Sequence, residues 1–196
     1  MKVTKEEYRF TGALDKRTET KHIIIHHAAV KNASAQAIHA GHLANGWFGI
    51  GYHYYVRKNG EIFTGRPEDT QGVHTGNMNG CSIGVCFEGN FEEEEMPEAQ
   101  LNAGRELIAD LRARYKDAEI SRHRDWNATA CPGKNFPFEE MLKAAPDKTQ
   151  PSEWAREAAE WAVEKGIFAG DGDGNYRWHD FITREEMAVV LRKIAQ

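Results

Sequence analysis

Apolar and polar positions change period several times along the chain, and each change marks an element. Lys21 to His27 contains the unbroken run Ile23-Ile24-Ile25, which predicts a strand covered on both faces. Ser34 is an N-cap residue type, and the helix it opens is expected to run toward Asn45-Gly46, a pairing that stops helices. Tyr52–Arg57 and Glu61–Thr64 read as two strands around Lys58-Asn59-Gly60, and Asn-Gly between such runs predicts a hairpin. A loop rich in glycine and asparagine, Gly72 to Gly80, leads to a third run, Ser82–Phe87. The acidic stretch Glu92–Glu95 reads as a solvated loop. Pro97 then opens a helix with Leu101, Leu107, Ile108, Leu111 and Tyr115 on one face. A short strand around Glu119–Ser121 and a last helix, Phe138–Ala145, complete this part of the pattern.

Strands alternating with helices, with one hairpin among them, imply an α/β fold whose mixed sheet is flanked by helices. The pattern breaks at 146–151, a polar stretch bracketed by Pro146 and Pro151 and read as a linker between a domain at 1–145 and a module at 152–196. In the module, Trp154, Ala158, Trp161 and Ala162 form one helical apolar face, and Met187, Val190, Leu191 and Ile194 form a second. About 45 residues bury little core alone. The module is therefore expected to lean on the first domain or to self-associate.

Composition narrows the function classes. A net charge of −5 and a pI near 6.0 leave no basic surplus to hold nucleic acid through its phosphates. No apolar run approaches a membrane span, and Met1–Phe10 lacks the apolar core of a secretory signal, so synthesis and initial retention in the cytoplasm are expected. Three cysteines give an odd count without framework spacing. Cys81 and Cys86 stand an odd number of residues apart in an expected strand, which sends their side chains to opposite faces. His39 and His42 share a helix face without a carboxylate partner and read as solvent-facing, as do His22 and His179. His27 and His53 are expected to support the chemistry from the far sides of their strands.

That chemistry begins with His123 and Cys131, in the segment Arg122-His-Arg-Asp-Trp-Asn-Ala-Thr-Ala-Cys131-Pro-Gly. A second imidazole source closes the isoleucine run at His26 and His27. Two imidazoles and one thiolate suit Zn2+, and three protein ligands leave a fourth tetrahedral position open for water, which means hydrolysis.

With His26, Gly51-Tyr52-His53-Tyr54, Asn79, Ser82-Ile83-Gly84 and His123…Cys131-Pro132 in this order, the chain resembles the zinc N-acetylmuramoyl-L-alanine amidases, which share the fold of the peptidoglycan-recognition proteins. The resemblance covers approximately Thr20 to Ala145. It implies metal ligands at His26, His123 and Cys131 and a catalytic tyrosine at Tyr52. His26 is preferred over His27 because the family ligand is the first polar residue ending this strand, and strand neighbours face opposite sides. The resemblance also places His74 and Asn79 against the stem peptide of peptidoglycan. Trp47 and Trp126 are candidates to stack on sugar or peptide. Two departures stand out: Thr129 occupies the position where phage-type relatives often carry a lysine, and Cys86 stands where a cytoplasmic branch carries a glutamate base, with Glu88 two residues on and on the same face.

The tail resembles a single S-layer homology motif, in Trp154…Glu160-Trp161-Ala-Val-Glu-Lys-Gly166-Ile167, Asp173-Gly-Asn-Tyr-Arg177 and Ile182-Thr183-Arg184-Glu185-Glu186. Such motifs bind secondary cell-wall polymers, which implies contacts at Thr183, Arg184 and Glu186. A calcium loop starting at Asp171 is disfavoured because Tyr176 and Ile182 stand where an EF-hand needs glycine and glutamate.

The resemblance therefore implies a zinc hydrolase cutting the bond between N-acetylmuramic acid and L-alanine in peptidoglycan. Tyr52 would donate its phenol as charge develops on the carbonyl oxygen, with Thr129 adding a weaker hydrogen bond. A phage or prophage endolysin, released to act at the cell wall, is the favoured setting. The alternatives are a non-catalytic peptidoglycan sensor, disfavoured by the retained cysteine, and a cytoplasmic muropeptide-recycling amidase, disfavoured by the tail.

Overall fold

Six strands join in one sheet in the computed structural model, which describes residues 1–196 except 146, 148, 152, 172–174, 179–181 and 196. In chain order the elements are β1 (Val3–Thr4), β2 (His22–His27), α1 (Ala35–Ala44), β3 (Tyr54–Val56), β4 (Ile62–Thr64), β5 (Ser82–Phe87), α2 (Glu98–Arg114), β6 (Glu119–Arg122), α3 (Phe138–Met141), α4 (Arg156–Glu164) and α5 (Arg184–Ile194). The sheet order is β1-β4-β3-β5-β2-β6. Among these six strands only β3 and β4 pair antiparallel, and every other strand pairing is parallel. This is the mixed sheet that the alternating pattern implied.

The hairpin forms where Asn59-Gly60 announced it. Its loop, 58–60, carries Gly60 at φ +85, a left-handed position that glycine takes without a Cβ penalty. At α1 the Ser34 side chain accepts from the Ala37 N–H, and Gly46 follows the C-cap at φ +80.

Strand alternation splits the sheet into two faces. Ile23, Ile25, Tyr54, Val56, Ile83, Val85 and Phe87 pack against Leu107, Ile108 and Leu111 of α2 and Met141 of α3. On the opposite face Tyr55 and Cys86 pack with Ala35 and Ile38 of α1. The parallel register sets His26 beside Cys86 and His27 beside Phe87. His26 therefore belongs to the face away from α2, and that face carries the chemistry.

The structure departs from or adds to the sequence pattern at three points. The helix expected over Phe138–Ala145 ends at Met141. The two-residue β1, too short to show a period, went unseen and pairs with β4 at the sheet edge. Glu88 is not free to serve as a base: it is 2% exposed and accepts from the Ala33 and Lys58 N–H groups and from the Arg57 guanidinium.

The chain divides into two compact units, Met1–Ala145 and Pro146–Gln196. In the second, Ala159 and Ala162 are the buried positions of α4, whereas Trp154 and Trp161 are exposed. Trp154 falls in a 3-10 turn, Glu153–Ala155, whose tighter winding rotates it off the α4 face. Met187, Leu191 and Ile194 of α5 are also exposed. His179 and Asp173, in the segments read as surface and as a rejected calcium loop, lie outside the described residues.

Candidate metal centre

His26 is the penultimate residue of β2, and His123 follows directly on β6, its parallel neighbour. Adjacent parallel strands deliver both imidazoles to one end of the sheet, the end where open α/β sheets bind ligands. Cys131 is brought back by the loop that follows His123. Asp125 accepts from the Arg122 N–H at 2.7 Å and pairs with the Arg122 guanidinium, which caps a one-turn helix at His123–Asp125. The Arg124 N–H then donates to the Cys131 carbonyl at 3.0 Å and closes the loop.

Among the described residues, one donor atom each from His26, His123 and Cys131 lie within 4.8 Å of one another. Cys131 Sγ stands 3.8 Å from His26 Nδ1. Donors arranged tetrahedrally around a shared zinc are about 3.6 Å apart, so the donor types fit such an ion and the Cys131–His26 pair lies close to that spacing. The imidazole rings of His26 and His123 have centroids 4.5 Å apart. Burial, reinforced by the neighbouring His74 and His123, holds His26 well below the usual imidazole range, so it is neutral and free to donate a lone pair. Burial likewise lowers His123, opposed by a hydrogen bond from its ring to the Asn127 side chain. The Cys131 thiol is pushed up to about 11 by burial, opposed by the His27 main-chain N–H and the Arg124 guanidinium.

Tyr52 enters from the segment just before β3, its ring centroid 5.1 Å from that of His26. Burial, with Cys86 and Cys131 close by, raises its phenol well above the ordinary value, so it keeps its proton. Thr129 Oγ1 accepts from the Cys131 N–H at 3.2 Å, which fixes the cysteine's main chain. Trp47 and Trp126 are exposed; Trp47 rests on His42, and Trp126 donates to Ser121 Oγ while its ring meets His22 edge-on.

Two residues expected at the stem peptide also have partners inside the fold. His74 is buried, its Nδ1 3.0 Å from His26 Nε2. Asn79 Oδ1 accepts from the His74 and Thr75 N–H groups and organises the loop. His39 is buried and His42 half-buried, where both read as solvent-facing. Their Nδ1 atoms accept from the Ile50 and Gly51 N–H groups, satisfying main chain that leads into Tyr52. Spacing along α1 could not reveal partners that lie across a loop. Sequence reasoning also missed Asn127, one helical turn after His123 and hydrogen-bonded to its ring, and Thr75 and Ser82, whose hydroxyls meet His74.

The mixed α/β sheet carries a His-His-Cys cluster of the kind that can hold a metal ion, beside a protonated tyrosine. The model of the N-acetylmuramoyl-L-alanine amidase family matches residues 16–134, and the chain belongs to that family. The S-layer homology domain model matches residues 148–188. The endolysin of Klebsiella phage KP32 is 34% identical over 125 residues, spanning 60% of this chain and 83% of the endolysin. Peptidoglycan-recognition protein SC2 of Drosophila melanogaster is 30% identical over 149 residues, spanning 68% of this chain and 81% of that protein. Among solved structures, the N-acetylmuramoyl-L-alanine amidase LysC from Clostridium intestinale URNW is 38% identical with a TM-score of 0.70, covering 72% of this chain and 95% of LysC.

Proposed function

We propose that the protein is an endolysin-type amidase that holds Zn2+ through His26, His123 and Cys131 and cuts the bond between the lactyl group of N-acetylmuramic acid and L-alanine. The observation that carries this reading is the convergence of those three donors within 4.8 Å, beside Tyr52. Bound there, zinc supplies Lewis acidity for amide hydrolysis. The remaining work falls to the chain's own residues. Tyr52, kept protonated by burial, donates to the scissile carbonyl oxygen as negative charge develops. Thr129 accepts from the main chain at Cys131 and keeps its own hydroxyl hydrogen to offer a second, weaker bond. Trp47 and Trp126 offer exposed aromatic faces to glycan or peptide.

The 152–196 module serves, in this reading, to hold the enzyme on a secondary cell-wall polymer, with 146–151 as linker. The match to the S-layer homology model supports it. Thr183 and Glu186 exchange hydrogen bonds as a capping box at the start of α5, so their first task is to form the helix. Arg184, exposed beside them, is the side chain left to meet an anionic polymer. Action at the cell wall follows from this reading and from the endolysin relatives.

Digestion of purified walls by the zinc-loaded protein, with mass spectrometry of the products, tests the proposal. New L-alanine amino termini and intact lactyl groups are expected. Cys131→Ser is expected to lose both stoichiometric zinc and cleavage, and retained activity in that variant would remove this site from the mechanism. Faster cleavage of soluble muropeptides than of intact walls would replace the endolysin reading with that of a recycling amidase.

A further inference from the structure

We propose that His74 is a positioning residue that holds His26 in a single tautomer, with the proton on Nε2 and the Nδ1 lone pair turned toward Cys131. The inference rests on the zinc reading above and deepens it: it names what selects the donor atom.

The direction of the hydrogen bonds follows from the one atom in the chain of contacts that can only accept. Met78 O is a carbonyl oxygen, so the Ser82 hydroxyl, 2.6 Å away, donates to it. Ser82 Oγ then has lone pairs free for His74 Nε2–H, at 3.4 Å. With its proton on Nε2, neutral His74 presents a bare Nδ1, which accepts from His26 Nε2–H at 3.0 Å. Thr75 Oγ1 lies 2.8 Å from His74 Nδ1 and 3.2 Å from His26 Nε2. It fits the same direction, taking a share of the His26 hydrogen and passing its own hydroxyl hydrogen to His74. Direct and relayed routes both leave His26 Nδ1 unprotonated, and that is the atom 3.8 Å from Cys131 Sγ.

The surroundings hold this relay in place. His26, His74, Thr75 and Ser82 are all buried, so bulk water does not compete for their hydrogens. Asn79 grips the main chain of both His74 and Thr75. Gly84 of β5 gives the His74 ring its room: a Cβ there would lie 2.7 Å from the ring. Orienting partners of this kind fix ring and tautomer in metal-binding histidines, and losing one weakens metal affinity by about 10–100-fold. Here the terminal acceptor is a main-chain carbonyl rather than a carboxylate, so the relay adds no negative charge to the site.

Nitrogen-15 NMR of the full chain stripped of metal reads the tautomer directly. His26 is expected with a protonated Nε2 and a bare Nδ1, and a protonated Nδ1 would overturn the proposal. Zinc affinity, measured by competition with a chromophoric chelator, gives the second readout. His74→Ala is expected to weaken it about 10–100-fold, His74→Gln, which accepts through Oε1, to recover part of the loss, and Ser82→Ala to weaken it less. Unchanged affinity in folded His74→Ala and Ser82→Ala proteins would overturn it too. Zinc binding that survived His26→Ala and Cys131→Ser would defeat the metal reading itself, while the tautomer in metal-free protein would still decide the relay.

Discussion

Tyr52 shows how one side chain draws its chemistry from its setting. Burial next to two thiols keeps its phenol protonated, which suits a donor to developing negative charge and not a base. Tyr52→Phe removes one hydrogen-bond donor without touching the three proposed ligands. We expect kcat to fall about 10²–10³-fold, the usual cost of losing one such donor, with zinc content by metal analysis unchanged. A variant that lost zinc as well would show that the tyrosine holds the site together and does not serve catalysis alone. The histidines make the same point. Nine occur in the chain, and His39, His42, His53 and His74 each spend a ring nitrogen on a buried backbone or side-chain partner. Residue type alone could not sort these from His26 and His123, because the sorting depends on which partner each ring meets.

At the scale of elements, Glu88 ties the end of β5 to the hairpin loop and to the approach to α1. Burial by itself raises its carboxyl, but the Arg57 guanidinium and the Lys58 and Ala33 N–H groups outweigh that and hold it below the ordinary value. A carboxylate whose folded pKa is depressed adds stability above its unfolded pKa of about 4.3, and that stability is lost as pH falls through the folded value. Glu88→Gln should therefore cost about 1.5–3 kcal/mol near neutral pH, the range for hydrogen bonds to a charged group. Urea unfolding should also show a smaller drop in stability on acidification than in the parent protein. An equal acid response in both would assign the acid sensitivity to other carboxylates.

Elements were legible where a pattern had room to repeat. Three isoleucines, the Asn59-Gly60 turn, the Ser34 cap and the spacing along α2 each announce their element, because local sterics and burial of one face decide them. The two-residue β1 lacks that room. Trp154 departs from the α4 pattern because it lies in a 3-10 turn, where the helical period does not apply.

At the scale of the whole molecule, two compact units share one chain. The proposal gives catalysis to the first and wall retention to the second. A protein shortened to 1–145 is expected to cleave soluble muropeptides at a rate close to that of the full chain. On intact walls it should work more slowly and co-sediment less. Equal performance on walls would leave the second unit without a retention role. The exposed apolar positions of α4 and α5, Trp161, Met187, Leu191 and Ile194 among them, leave the module with little buried core of its own.

The sequence by itself determined the α/β class, the strand that carries His26 near its end, and the pairing of His123 with Cys131, because each depends on local periodicity or on residue types with few chemical uses. Only the tertiary structure decided which histidines meet which partners. His26, His74 and Cys131 are far apart in the chain, and their meeting depends on the parallel register of β2 with β5 and β6 and on the closing of the loops at 72–80 and 123–131. Those contacts join residues through space, and no period along the chain encodes them.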